Sequence, residues 1–317
     1  MAKRSRGPRR PGGADAAGRE ASRGPDSARA EETIGATDAA VAAAVFVLGL
    51  AIRLAYIGQI QAAGLGRYLR LDPLYYHQWG QRIAAGDWIG RDVFEMSPLY
   101  AYYLGALYRA FGEGQLLPRI LQALLGAAVC GLLVLAGRRA FGRAEGIGAG
   151  LLFALYGPAI FYDGQVMKTS LEVSFAALAT LAFFTAERMG RSPAARWLFA
   201  GGVLMGLTAL MRENILVAAP IFFFWAVWPR PGVPARARIA AGAAIVAGTV
   251  LPIAPFTIRN AVVAKELVLI TSLGGENFYT GNNEIASGRY TPPPFVRPDP
   301  QFEHEDFRRE ASRRAGR

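Results

Sequence analysis

The chain of 317 residues is 52% hydrophobic with a mean hydropathy of +0.22, which is too apolar for an ordinary soluble domain of this size. Its formal net charge of +11 does not describe a nucleic-acid-binding face, because the charge gathers in the N-terminal tail, at the C-terminal end and in short loops between apolar runs, where a membrane protein places it. A single cysteine, Cys130, and two histidines, His77 and His304, rule out a disulfide framework and a histidine-rich metal site.

Residues 1–36 are rich in Arg, Gly, Pro and Ala and have no apolar face. They read as a disordered basic tail. A secretory signal has a shorter charged region and a shorter apolar core, so the first apolar stretch reads as an anchor that stays in place. Seven stretches follow, near the ~20 residues that cross a bilayer or a few shorter. They are 37–60, with Asp38 as N-cap, then 115–137, 145–161, 170–187, 195–211, 214–228 and 239–257. The break between the fifth and sixth is "MREN" at 211–214.

With the N-terminal tail in the cytoplasm, the inner loops are "GRRAFGRAEG" (137–146), "ERMGRSPAARW" (187–197) and "PRPGVPARAR" (229–238), all Arg-rich. That obeys the positive-inside rule. Residues 61–114 and the stretch after 258 then face outward. Within the long first outer loop, "PLYAYYLGALYRAFG" (98–112) has helical spacing and many tyrosines, and reads as a helix lying in the membrane interface. As a span it would put every later Arg-rich loop outside. "GIGAG" (146–150) opens a span without a preceding strand, so it reads as close helix packing rather than a dinucleotide loop. Gly201, Gly202 and Gly206 read the same way. The fold class expected is therefore all-α: a polytopic membrane bundle of about seven spans over residues 37–258. A soluble extracytoplasmic segment follows at 259–317, with one strand at "ELVLIT" and a charged helical ending. The odd span count and that ending make the chain read as part of a longer protein.

Three constellations could carry chemistry. Asp72 stands beside Pro73, with Tyr75, Tyr76, His77 and Trp79 within two turns and Asp87, Asp92 and Glu95 following. It could cap the next helix; carboxylates among aromatic faces also suit sugars, whose C–H faces stack on rings while hydroxyls seek acceptors. "YDGQVMKTSLE" (162–172) brings Asp163, Lys168 and Glu172 to a short outer loop. Glu172 lies one turn into a span, where a carboxylate is costly, or snorkels to water. Lys168, one of three lysines with Lys3 and Lys265, binds a phosphate as a point charge or anchors the helix end. "LMREN" (210–214) puts Arg212 on the outer side, suited to an anionic ligand or to an ion pair with Glu213 or Glu172. Arg259 in "TIRN" is placed similarly.

These stretches bear a family likeness. "DPLYYHQWGQRIAAGDWIG", "MSPLYAYYLGALYRAFG", "GLTALMREN" and "LPIAPFTIRN…GGENFYTGNN", in that order, resemble the bacterial GT-C membrane glycosyltransferases related to dolichyl-phosphate-mannose–protein mannosyltransferases and the lipid A aminoarabinose transferase. The resemblance runs from about residue 38 to 290. It implies a catalytic carboxylate in the first outer loop, where Asp72 stands, and a second acidic residue where the third and fourth spans meet, which is Glu172 or Asp163. The family's arginine stretch often has Pro after the Arg; this chain has Glu213. The resemblance also implies a polyprenyl-phosphate-linked sugar donor and an acceptor (protein, lipid or glycan) on the extracytoplasmic side. Tyr75, Tyr76, His77, Lys168, Arg212, Arg259 and Asn282 are the expected substrate contacts, and no cofactor or metal is expected. Two rivals stand beside the transferase reading: a multi-span transporter, and a non-catalytic fragment that binds lipid or a partner.

Overall fold

A computed structural model describes residues 35–188 and 191–316. The expected basic tail lies outside the described residues up to residue 34, and the Arg-rich loop 187–197 is described only in part. The chain is an all-helical membrane bundle of twelve helices among the described residues. Helix α1 (Ala36–Ala62) is followed by a pair, α2 (Leu71–Ala84) and α3 (Pro98–Phe111). Then come α4 (Leu116–Ala140), α5 (Arg143–Ala154), α6 (Gly157–Asp163), α7 (Thr169–Arg188) and α8 (Arg191–Ala209). A 3-10 turn (Glu213–Val217) leads into α9 (Ala218–Val227), α10 (Ala235–Ala264), α11 (Gly274–Gly281) and α12 (Glu303–Arg314).

All seven expected apolar stretches are helical, but they are not equal. Helices α1, α4, α7 and α10 are long and apolar enough to span a membrane; α5 and α6 meet that test only together, bent by 53° at their break, as a broken span or a re-entrant loop does. Pro158 in the first turn of α6 cannot continue the ladder of α5, since proline has no N–H to donate. The fifth and sixth stretches are shorter apolar helices, 194–209 and 213–227. Between them Leu210 and Met211 are fully buried and Arg212 is extended, with φ −152°, so "MREN" ends one helix before the next starts.

The bundle has two packed halves. Helix α1 packs on α4 and α5, and α8 packs on α7 and α10. Small residues set both approaches. A methyl on Gly146 would strike the backbone of Val134, and one on Gly202 or Gly206 the backbone of α10, so the glycine stretches bring helix backbones together as expected. The pair α2 and α3 is joined by the same device: Gly80 lies on Leu104, and Gly105 on Ile83. Tyr100, Ala101, Leu104 and Tyr108 of α3 are buried in that seam with Tyr76 and Ile83 of α2.

Two local expectations are corrected. Asp38 is not the N-cap of α1. Gly35 holds that position, and Asp38, one turn inside, accepts its N–H at 3.0 Å while pairing with Arg138 at 2.8 Å and Arg143 at 3.4 Å. "ELVLIT" is no strand, and no strand occurs among the described residues. It has no partner strand; the buried Asn260 side chain takes its carbonyls instead, donating Nδ2 to Val268 O at 3.1 Å and Ile270 O at 2.9 Å.

One end of the bundle gathers residues 65–114, 162–172, 212–217 and 256–316. The links are Arg119 to Gly66 O, Lys168 to Ser97, Ser272 N–H to Phe94 O, and Thr271 to Glu213. The other end carries Asp38, Arg138, Arg143, Arg230 and Arg238. The sequence segments assigned to opposite sides of the membrane are thus sorted to opposite ends.

Candidate active site

Asp72 lies in the first turn of α2. Arg70 enters in extended conformation and Leu71 follows at φ +52°, a left-handed conformation uncommon for a leucine. The chain therefore turns sharply into the helix and carries Asp72 and Pro73 in its opening turn, where proline's missing N–H costs nothing and a carboxylate meets the positive end of the helix dipole. Among the described residues nothing donates a hydrogen bond to this carboxylate. Burial pushes its pKa up, opposed by the charge of Lys168. It opens on a cavity of about 530 Å³ also lined by Glu95, Tyr162, Gln165, Tyr290 and Glu303.

The charge of Lys168 acts on Asp72, and that of Arg212 on Lys168. Lys168 Nζ donates to Ser97 Oγ at 2.7 Å, so the buried serine before α3 aims the ammonium. Burial first, and then the charge of Arg212, lower the Lys168 pKa, while Glu172, Asp72 and Glu213 raise it. Arg212 Nε donates to Glu172 Oε1 at 2.6 Å. The guanidinium is half exposed (52%) and the carboxylate largely covered (16%), with Glu172 Oε2 buried and unpartnered. Five charges, Asp72, Lys168, Glu172, Arg212 and Glu213, thus meet at one bundle end from three separate segments.

The other expected residues divide. Tyr75 lines a second cavity beside this one; Tyr76 is fully buried, stacked with Trp79 and edge-on to Tyr100. His77 turns to the opposite face of α2 and meets Tyr108 Oη at 2.8 Å. Asp163 is held away from the cavity, its Oδ2 2.6 Å from Arg53 Nε inside the bundle. Arg259 is committed to the loop before α3: it donates to Ile89 O at 2.6 Å and to Asp92 O at 2.5 Å, and lies 4.0 Å above the Phe94 ring. Asn282, which follows α11 as its C-cap, donates to Phe278 O at 2.8 Å and does not line the cavity, whereas Asn277 within α11 does.

A family model for dolichyl-phosphate-mannose-protein mannosyltransferases matches residues 95–258. The chain belongs to that family. It is a membrane glycosyltransferase of the GT-C type. A comparison with the curated proteins finds no match, and neither does one with the solved structures.

In this mannosyltransferase-family chain the match takes in Asp163, Lys168, Glu172 and Arg212, while Asp72 lies before it. The site also holds residues that sequence reasoning missed. Glu303 and Tyr290, whose hydroxyl donates to Glu303 at 3.1 Å, reach the cavity from more than two hundred residues downstream, and no local spacing marks them. Ser97, one residue before a helix that starts with proline, carried a weak signal as the residue preceding a helix. Among the described residues no group of three or more His, Cys, Asp or Glu side chains is placed to hold a metal ion.

Proposed function

We propose that the chain transfers a glycosyl group from a polyprenyl-phosphate donor to an acceptor hydroxyl on the extracytoplasmic side of the membrane. The single observation that supports this best is that Asp72 lines the 530 Å³ cavity with no hydrogen-bond donor among the described residues while the charge of Lys168 acts on it. A half-buried carboxylate with no hydrogen-bond donor suits a base, and the cations behind it suit a phosphate. Asp72 takes the proton of the acceptor hydroxyl. The acceptor oxygen attacks the anomeric carbon as the bond from that carbon to the phosphate oxygen breaks. The polyprenyl phosphate leaves with the electron pair, its charge met by Lys168 and Arg212. One displacement by one base inverts the anomeric centre. Glu172 orients Arg212, Ser97 orients Lys168, and Arg259 holds the loop beside the cavity. The N-terminus lies in the cytoplasm, residues 37–258 form the catalytic membrane domain, and 259–317 form an extracytoplasmic segment that closes the cavity with Tyr290 and Glu303.

The test uses membranes containing the protein, supplied with radiolabelled polyprenyl-phosphate sugars. Label leaves the donor with the wild type and not with Asp72→Asn at matched expression. Donor turnover that survives Asp72→Asn removes Asp72 from the base role.

A further inference from the structure

We propose that the second cavity, next to the one that Asp72 lines, is a binding site for a carbohydrate acceptor. The proposal rests on the reading of Asp72 as the base of a glycosyl transfer and names the substrate class that meets it. The cavity measures about 460 Å³ and lies between α2 and the loop 87–95. Its walls carry Trp79, Trp88 and Tyr75, with Asp87, Arg82 and Arg91 around them. Trp88 keeps 44% of its surface exposed although Tyr102 lies beside it, with ring centres 6.2 Å apart. A partly exposed indole, backed by packed aromatic rings and rimmed by carboxylates and guanidiniums, matches a sugar: the ring C–H face stacks and the hydroxyls take paired hydrogen bonds. Arg82 and Arg91 form no ion pair with a described residue, so the fold does not use up their hydrogen-bonding capacity.

The loop is built in advance. Arg259 takes the carbonyls of Ile89 and Asp92, the Tyr102 hydroxyl takes that of Trp88, and Asp87 accepts the N–H of Gly90 at 3.0 Å. Binding therefore pays little for ordering it. The same bonds argue against an extended peptide, which docks by pairing its backbone with free carbonyls and amides. In this loop the carbonyls of Trp88, Ile89, Asp92 and Phe94 and the amides of Asp87, Trp88, Gly90 and Phe94 are already taken.

The cavity also leads to the base. Glu95 lines both cavities. Tyr75 stands near enough for the Glu95 carboxylate to act on its hydroxyl. A saccharide resting on Trp88 can extend a terminal hydroxyl past Glu95 toward Asp72.

The experiment uses the full chain in lipid nanodiscs. Neutral oligosaccharides of hexoses or pentoses, and a Ser- and Thr-containing peptide, are titrated by tryptophan fluorescence and by saturation transfer from protein to ligand. At least one oligosaccharide binds. Trp88→Ala weakens it about tenfold, the size of one lost ring stack, Trp88→Phe restores most of the affinity, and Trp228→Phe at the other end of the bundle changes nothing. The proposal is overturned if no oligosaccharide binds, if binding ignores Trp88→Ala, or if the peptide binds and the saccharides do not. Donor cleavage measured in parallel on wild type and Asp72→Asn reports on the base separately, so failure of the acceptor site and failure of the transferase reading are told apart.

Discussion

Arg53 Nε donates to Asp163 Oδ2 at 2.6 Å across the interior of the bundle, with the arginine side chain fully buried and the aspartate 5% exposed. The pair links α1 to the end of α6. Gly126 of α4 makes room for it, since a methyl there would overlap the Asp163 carboxylate. Removing one partner strands a charge in an apolar interior, which costs roughly 3–5 kcal/mol. Asp163→Ala and Gly126→Leu are therefore expected to lower the thermal unfolding temperature of the detergent-solubilised protein strongly, and any loss of activity follows the loss of folded protein. Asp163→Ala that folds at the wild-type temperature yet has no activity would move Asp163 into the chemistry.

Asp72→Asn keeps the size of the side chain and removes the base. Donor turnover is expected to fall by about 10²–10⁴ with the unfolding temperature little changed, since the carboxylate accepts no hydrogen bond from the described residues. Turnover within a factor of two of wild type would exclude the role.

The pH profile carries a second check. Burial raises the Asp72 pKa, so the base is protonated, and activity lost, as pH falls through a value above the usual aspartate range. Burial and Arg212 lower the Lys168 pKa, so its charge is lost, and activity with it, as pH rises through a value below the usual lysine range. The plot of kcat/KM against pH is a bell narrower than unperturbed groups would give. Lys168→Met removes the charge that holds the Asp72 pKa down, so the acid limb moves to higher pH. An acid limb that stays in place would separate the two residues.

Arg212 is half exposed, so its pair with Glu172 adds little stability, about 0–1 kcal/mol. Its proposed contact with the donor phosphate is worth more, as a hydrogen bond between charged groups. Arg212→Ala is expected to raise the KM for the donor about tenfold or more and to move the unfolding temperature little. A large drop in that temperature with unchanged KM would make Arg212 a structural residue only.

Asn260 is buried, accepts the Phe94 N–H at 3.4 Å and donates to Val268 and Ile270. Asn260→Ala leaves these groups unpaired, at about 1–3 kcal/mol for each one that stays buried. Hydrogen exchange of residues 87–95 and 266–272 is expected to speed up together, while α4 and α8 keep their protection. Unchanged exchange in both loops would show that Asn260 does not hold them.

The spans were legible because a bilayer demands length and apolarity, and α1, α4, α7 and α10 supply both within a local window. The Asp72 stretch stands out in chain order as a carboxylate with aromatics between two spans, and Asp72 lines a cavity. "ELVLIT" misled for a physical reason: a short apolar run with β-branched residues suits a strand, but a strand needs a neighbour, and Asn260 supplies the hydrogen bonds instead. Among the tyrosines, spacing could not tell that Tyr76 is core while Tyr75 faces a cavity, because the side of α2 that α3 covers is set by the Gly80 and Gly105 contacts.

The sequence by itself determined that the chain is a helical membrane protein with charged and aromatic residues collected between its spans, because hydrophobicity over ~20 residues is a local property. Only the tertiary structure decided which of those charges share a site. It placed Glu303 and Tyr290 over Asp72, gave Lys168 to Ser97 and Arg212 to Glu172, and drew Asp163 and Arg259 into supporting contacts. Such pairings join residues far apart in the chain, and their geometry follows from how closely glycine-faced helices pack rather than from any spacing along the sequence.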